Sequence, residues 1–295
     1  MRTSPFDAFT CPLDGAPLHV SAEGAVCPAG HRFDRAREGY LNLLPVQRKA
    51  SRDPGDDKAM VDARRRFLAA GHYAPIVDAV FAMVRGRVDA MAARALVPEV
   101  RVLDAGCGEG DCLSRVDAAA RADALDASLA LAGIDISKWA VRAAARRSPG
   151  IAWAVASNRG LPFAANSFDV VLSLFGFPVW AEFARVLVDG GEVLVVDPAP
   201  DHLRELRELI YEEVRPSPPP AHPGAAEAGF VCVESQPVRC IAEVEGDGQV
   251  AALLRMTPHA HRTSAERREV VDALPRLMVT VDVLLRRYVV STGSD

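Results

Sequence analysis

Residues 102–110 read VLDAGCGEG. An apolar run delivers an aspartate, Asp104, into glycines at every second position: Gly106, Gly108 and Gly110. The run predicts a short buried strand that ends in a tight turn. Glycine lets a backbone pass close to a ligand and adopt dihedrals that other residues resist. A glycine triplet alone fits any tight turn. Here a second acidic residue, Asp135, closes the next apolar run, LAGIDIS. A carboxylate at a strand end can accept both hydroxyl hydrogens of an adenosine ribose. The expected cradle is therefore Asp104, Gly106, Gly108, Gly110 and Asp135.

Outward from this stretch, IAWAVAS, FDVVLSLF and GEVLVVDP are further runs of strand length. Helical stretches such as KWAVRAAARR separate several of them. Alternation of this kind predicts an α/β fold with a doubly wound, mostly parallel sheet. The proline run Pro216, Pro218, Pro219 and Pro220 is expected to be a mobile loop. After it, FVCVESQPVRCIAEV and VDVLLRRYVV fit late strands that close the sheet. Residues 59–91 predict helices, with Gly71 as a break between them. There is no internal repeat.

The chain has 295 residues, 49% of them hydrophobic, enough for one large domain with a small companion. No run of about 18 uncharged apolar residues is present, so no membrane span is expected. The N-terminus lacks the apolar core of a secretion signal, which predicts a cytoplasmic protein. Six scattered cysteines are too few for a disulfide framework. Net charge is -5, which does not advertise a nucleic-acid binder. Residues 1–66, however, carry eleven Lys or Arg against nine Asp or Glu. Arg48, Lys49 and Arg52 cluster in one segment and Arg64, Arg65 and Arg66 in another. Each cluster reads as solvated surface charge or as contacts for an anionic partner.

The front of the chain has metal-ligand spacing. Cys11, Asp14, Cys27 and His31 follow the pattern ligand-x2-ligand, twelve residues, ligand-x3-ligand. Aspartate stands where a cysteine is usual. Zinc accepts carboxylate oxygen beside thiolate and imidazole, but more weakly than a third thiolate. Asp14 also lies in the turn PLDG, where an Asp-Gly pair serves the backbone. The expectation is one weakened zinc ion, held by Cys11, Cys27 and His31 with Asp14 or water as the fourth ligand. Residues 1–44 then form a small zinc-binding module for RNA recognition. Residues 45–58 are a linker, and 59–295 a helical lead-in and the large domain.

A dinucleotide-binding domain would carry G-x-G-x-x-G. This chain has G-x-G-x-G with an aspartate two residues ahead, and so resembles the class I S-adenosylmethionine-dependent methyltransferases. That resemblance puts Ser157 or Asn158, in ASNRGLPF, beside the adenine. Over essentially its whole length the chain further resembles the bacterial 23S rRNA (guanine-N1)-methyltransferases. The carrying stretches are CPAGHRFDRAREGYLNLLPVQ, SRDPGD, ARRRFLAAGHYAPI, VLDAGCGEG, DISKWAVRAAARR, DHLRELRELIYEEV and MTP. The resemblance implies zinc on Cys11, Cys27 and His31, and a cofactor lined by Gly108 and Glu109 and reached by Tyr73 and His202. Read without it, Tyr73 is helix-end packing and His202 a surface cap. The chain departs from the family at Asp14, at FGFPVW, where Phe/Tyr-Ala-Pro is common, and at His261, where Trp is common.

The implied reaction is in-line transfer of a methyl group from S-adenosylmethionine to N1 of a guanine in a 23S rRNA hairpin. That nitrogen must lose a proton, and the sequence singles out no catalytic base. The expected partners are 23S rRNA and a second copy of the chain in a homodimer, with no membrane. The alternatives are a small-molecule methyltransferase derived from the rRNA enzyme, and a non-catalytic ribosome- or RNA-binding protein.

Overall fold

The computed structural model describes residues 8–45, 47, 54–93, 99–125, 128–214 and 218–291. Arg48, Lys49, Arg52 and Pro216 lie outside them, as does half of the expected linker.

The N-terminal part begins with a three-stranded antiparallel sheet: β1 (His19–Val20), β2 (Gly24–Val26) and β3 (Arg32–Asp34). The next strand, β4 (Leu41–Asn42), leaves this sheet and becomes the edge of the main one, parallel to β7 (Ala152–Val155). Residues 41–42, near the end of the expected N-terminal module, thus join that module to the large sheet. Leu41 is wholly buried, and its burial needs the large sheet as its other wall.

Helices α1 (Lys58–Ala69) and α2 (Ala74–Ala93) follow, bent 81° apart around Gly71. Asp57 caps α1 by accepting the Met60 N–H at 2.9 Å. The main sheet is completed by β5 (Val100–Ala105), β6 (Leu129–Asp135), β8 (Phe168–Leu174), β9 (Leu187–Pro198), β10 (Phe230–Glu245) and β11 (Arg276–Val290). Its order is β10-β11-β9-β8-β5-β6-β7-β4. Strands β4 to β9 run parallel, and β11 lies antiparallel between β9 and β10. This is the doubly wound sheet that the alternation predicted. Ahead of GEVLVVDP the pairing of β9 with β8 shifts register, and Gly190 there has φ of +71°.

Helices α3 (Asp111–Ala122), α4 (Lys138–Arg147), α5 (Trp180–Val186), α6 (Arg204–Ile210), α7 (Pro223–Glu227), α8 (Gln249–Arg255) and α9 (Ala265–Asp272) complete the fold. One core, built on Val102, Leu113, Val170, Leu194 and Val283, joins one face of the sheet to α2, α3 and α6. The other, built on Phe163, Phe168, Phe183 and Val195, also takes in Phe9, Cys11 and Cys27. The N-terminal part is thus glued to the sheet. Phe9 stacks on Phe163 at 4.8 Å, Thr10 N donates to Pro162 O at 2.9 Å, and Glu38 accepts from Arg142 at 2.7 Å and Arg146 at 3.0 Å. Among the described residues no single helix is long and apolar enough to cross a membrane.

Candidate active site and metal centre

Open parallel sheets bind ligands beyond the carboxyl ends of their strands, where the winding reverses. Here that point lies between β5 and β8. Asp104, near the end of β5, is 2% exposed, and its Oδ1 has no hydrogen-bond partner among the described residues. Burial, then the neighbouring Asp135 and Glu109, push its carboxyl up to about 8. Glu109 is equally buried, with Oε1 also unpartnered, and burial raises it to about 7. Asp135 is held differently. Its Oδ2 accepts the Gly108 N–H at 3.0 Å and its Oδ1 the Ser137 N–H at 2.7 Å. Each of these oxygens retains one lone pair.

The glycines divide into two roles. Gly106 and Gly108 have φ of +99° and +54°, and a Cβ built on either would stop 3.7 Å from Asn158 Nδ2 or Arg64 Nη1. They line open space between those side chains. Gly110 was expected to face the cofactor but packs inward. A Cβ there would lie 2.7 Å from both Ala144 Cβ and Trp153 Cη2. It brings the start of α3 against α4. Asn158 joins the site by donating to Ala105 O at 3.2 Å. Ser157 stays in its own turn, accepting the Arg159 N–H at 3.2 Å.

On the other side of the turn, Tyr73 and His202 meet at 3.0 Å between Oη and Nε2, although 129 residues separate them. Both lie against Phe175, with ring centroids 5.6 Å away. Phe175 takes φ of +53° directly after β8. Phe177, two residues on, is 92% exposed. Within MTPHAHR, His261 is exposed, whereas His259 turns inward to Tyr211 Oη at 2.8 Å.

The sequence reading missed Arg64. It appeared only as one of three surface arginines, yet it points inward while Arg65 and Arg66 are exposed. Its guanidinium pairs with Asp56 and donates to Met256 O at 3.3 Å. Its spacing was the available signal, because it falls three residues after Val61 and three before Phe67, both buried. Two buried carboxylates, each with an oxygen left unpartnered among the described residues, are costly by themselves. They fit a ligand that brings cationic and hydroxyl donors.

The metal centre lies about Cys11, Asp14, Cys27 and His31, whose ligand atoms fall within 4.8 Å of one another. His31 Nδ1 is 3.0 Å from Asp14 Oδ2, 3.3 Å from Cys27 Sγ and 3.5 Å from Cys11 Sγ. Tetrahedral zinc with bonds of about 2.0–2.3 Å needs ligand separations of about 3.3–3.8 Å. The cluster is close to that size. Asp14 serves both readings of its position: Oδ1 accepts the Ala16 N–H at 3.0 Å within the turn, and Oδ2 faces the cluster. The bond from Ala16, then that from Cys11, hold its carboxyl down at about 2. The two cysteines are buried and the Asp14 and His31 side chains partly exposed, so the site sits at the surface of the small sheet.

Two family models match the chain: "RlmA, N-terminal", a zinc ribbon, over residues 9–52, and "Methyltransferase domain" over residues 102–191. A Streptomyces fradiae protein named 23S rRNA (guanine(748)-N(1))-methyltransferase is 39% identical, over 71% of this chain and 70% of its own. The Bacillus subtilis protein YxjB, provisionally named a 23S rRNA (guanine-N(1)-)-methyltransferase, is 32% identical over 96% of this chain and 97% of its own. A demethylmenaquinone methyltransferase of Renibacterium salmoninarum is 33% identical, but over only 37% of this chain and 45% of its own.

Proposed function

The chain belongs to the 23S rRNA (guanine-N1)-methyltransferase family, and from that premise we propose that it transfers a methyl group from S-adenosylmethionine to N1 of a guanine in a 23S rRNA hairpin. The observation that carries the reading is the pair of buried carboxylates, Asp104 and Glu109, each with one oxygen that has no hydrogen-bond partner among the described residues, beside a glycine turn whose next strand ends in Asp135. S-adenosylmethionine carries an ammonium, a sulfonium with a transferable methyl group, and two ribose hydroxyls. Asp135 would take the hydroxyls on its free lone pairs, and Asp104 and Glu109 would face the cationic end. Gly106 and Gly108 leave room for it, and Asn158 would lie beside the adenine. Gly110 and Ser157 would act through the fold of the turn and the loop.

The chain's work is then to position and to exclude water. Guanine N1 carries a proton that must leave before or during attack. Ser173, near the end of β8, has a buried Oγ without a hydrogen-bond partner among the described residues. Phe175 and Phe177 follow it, on the side where an acceptor would enter. An exposed aromatic at such a place suits a base splayed out of an RNA stem, which stacks on it. The N-terminal module would hold RNA through shape and phosphate contacts, and a homodimer would place two such modules on one particle.

The relatives named 23S rRNA methyltransferases align over 96% and 71% of the chain, while the similarity to a demethylmenaquinone methyltransferase covers 37% of it. That favours RNA over a metabolite. The test is tritiated S-adenosylmethionine with the 23S hairpin, followed by nucleoside mass spectrometry. The expected product is 1-methylguanosine. Label that goes only into a metabolite extract would defeat the reading.

A further inference from the structure

We infer that Arg64 binds the α-carboxylate of S-adenosylmethionine, and that the Asp56 carboxylate holds its place until the cofactor arrives. The inference rests on the cofactor reading above and adds to it a residue from outside the glycine turn. The turn and its surroundings offer carboxylates: Asp104, Glu109, Asp135 and Asp56. They suit the ammonium, the sulfonium and the ribose hydroxyls. They do not suit the cofactor's own carboxylate, which would enter a water-poor site among like charges.

Arg64 is the cation at hand. Its Nη1 lies 3.7 Å from where a Cβ on Gly108 would sit, so it borders the open space of the turn. It also opposes the raised pKa of Glu109 and of Asp135. The next arginines are committed elsewhere: Arg147 pairs with Asp111, and Arg115 bonds Asp111 at 2.9 Å and Leu68 O at 2.8 Å. Guanidinium has five N–H groups in a planar fork that matches a carboxylate. Asp56 and Met256 O engage two of them. The carboxylate now on Arg64 comes from a loop that is itself tied to the cofactor side. Asp56 O accepts the Ser137 O–H at 2.6 Å, and Ser137 N donates to Asp135. Exchange of one carboxylate for another at Arg64 would therefore be felt in α1, in residues 54–57 and at Met256.

Decarboxylated S-adenosylmethionine differs from the cofactor by the carboxylate alone, which makes it the probe. Calorimetry on the full chain is expected to show the wild type preferring the intact cofactor at least about tenfold. Arg64→Gln should bind the two ligands equally, losing affinity for the first and not the second. Arg64→Lys keeps the charge without the fork and should restore part of the preference. Asp56→Asn removes the competitor and should enlarge the preference several-fold, which keeps the inference testable should the Arg64 variants melt early. Wild-type preference in Arg64→Gln, or an unchanged preference in Asp56→Asn, would overturn the inference. A wild-type chain that binds neither ligand would overturn the cofactor reading beneath it.

Discussion

His202 accepts the Asp282 N–H on Nδ1 at 3.2 Å and must therefore carry its proton on Nε2, which it donates to Tyr73 Oη at 3.0 Å. Burial, helped by His259 and Arg207, depresses its pKa to about 4, so the imidazole is neutral at physiological pH. The tyrosine oxygen is an acceptor in this pair, and its own proton is left to point toward the site. Tyr73→Phe should keep the ring's edge contact with Phe67 and its stacking on Phe175, and lose that donor together with the acceptor of the His202 Nε2–H. We expect a folded protein whose affinity for S-adenosylhomocysteine falls about fivefold to tenfold, the worth of one hydrogen bond. Calorimetry that shows no change would reduce Tyr73 to packing.

Cofactor binding should tighten with pH. Asp104 titrates at about 8 and Glu109 at about 7 because burial penalises their charged forms. A cationic ligand needs them ionised, so binding near neutrality releases protons. Affinity is expected to rise between about pH 6 and 8, by up to tenfold per pH unit and proton, and to level off above 8. Calorimetry at pH 7 in two buffers of different ionisation enthalpy reads the proton count directly. The same shift has a cost in the cofactor-free protein. The folded chain binds more protons than the unfolded one between about pH 4 and 8, so Asp104 lowers stability as pH rises through that window.

Zinc occupancy should follow Asp14. Asp14→Ala leaves two thiolates and an imidazole, and is expected to lower zinc content and to abolish the gain in melting temperature on adding zinc. Asp14→Cys should raise affinity. Because Phe9 and Thr10 dock on Pro162 and Phe163 just ahead of Cys11, chelation should also weaken cofactor binding through the 157–163 loop. Equal cofactor affinity with and without zinc would show the two sites to be independent.

Phe177→Ala removes a ring that is 92% exposed. Stability and cofactor affinity are expected to be unchanged, while methylation of the RNA hairpin drops by about tenfold or more, the loss of one base-stacking contact. Unaltered methylation would place the acceptor elsewhere.

Gly110→Ala combines φ of +75° with a Cβ 2.7 Å from Ala144 and Trp153. Strain and overpacking together should cost about 2–4 kcal/mol, seen as a lower denaturant midpoint. Gly106→Ala meets no atom closer than 3.7 Å and should cost less stability but more cofactor affinity.

The sequence by itself determined what local pattern can encode. Apolar runs of strand length alternating with helical stretches specified the parallel sheet, because burial on both faces demands them. The spacing of Cys11, Asp14, Cys27 and His31 specified the metal cluster, because two tight turns bring short-range ligands together. What only the tertiary structure decided depends on residues far apart in the chain. The Tyr73–His202 pair spans 129 residues, and Arg64 reaches Met256 across 192. The departure of Leu41 and Asn42 into the main sheet, and the inward packing of Gly110 against Trp153, likewise rest on partners that no spacing rule names. Sequence periodicity reports which face of an element is buried. It does not report what stands opposite, and at this site the opposite wall supplies Arg64, Tyr73 and His202.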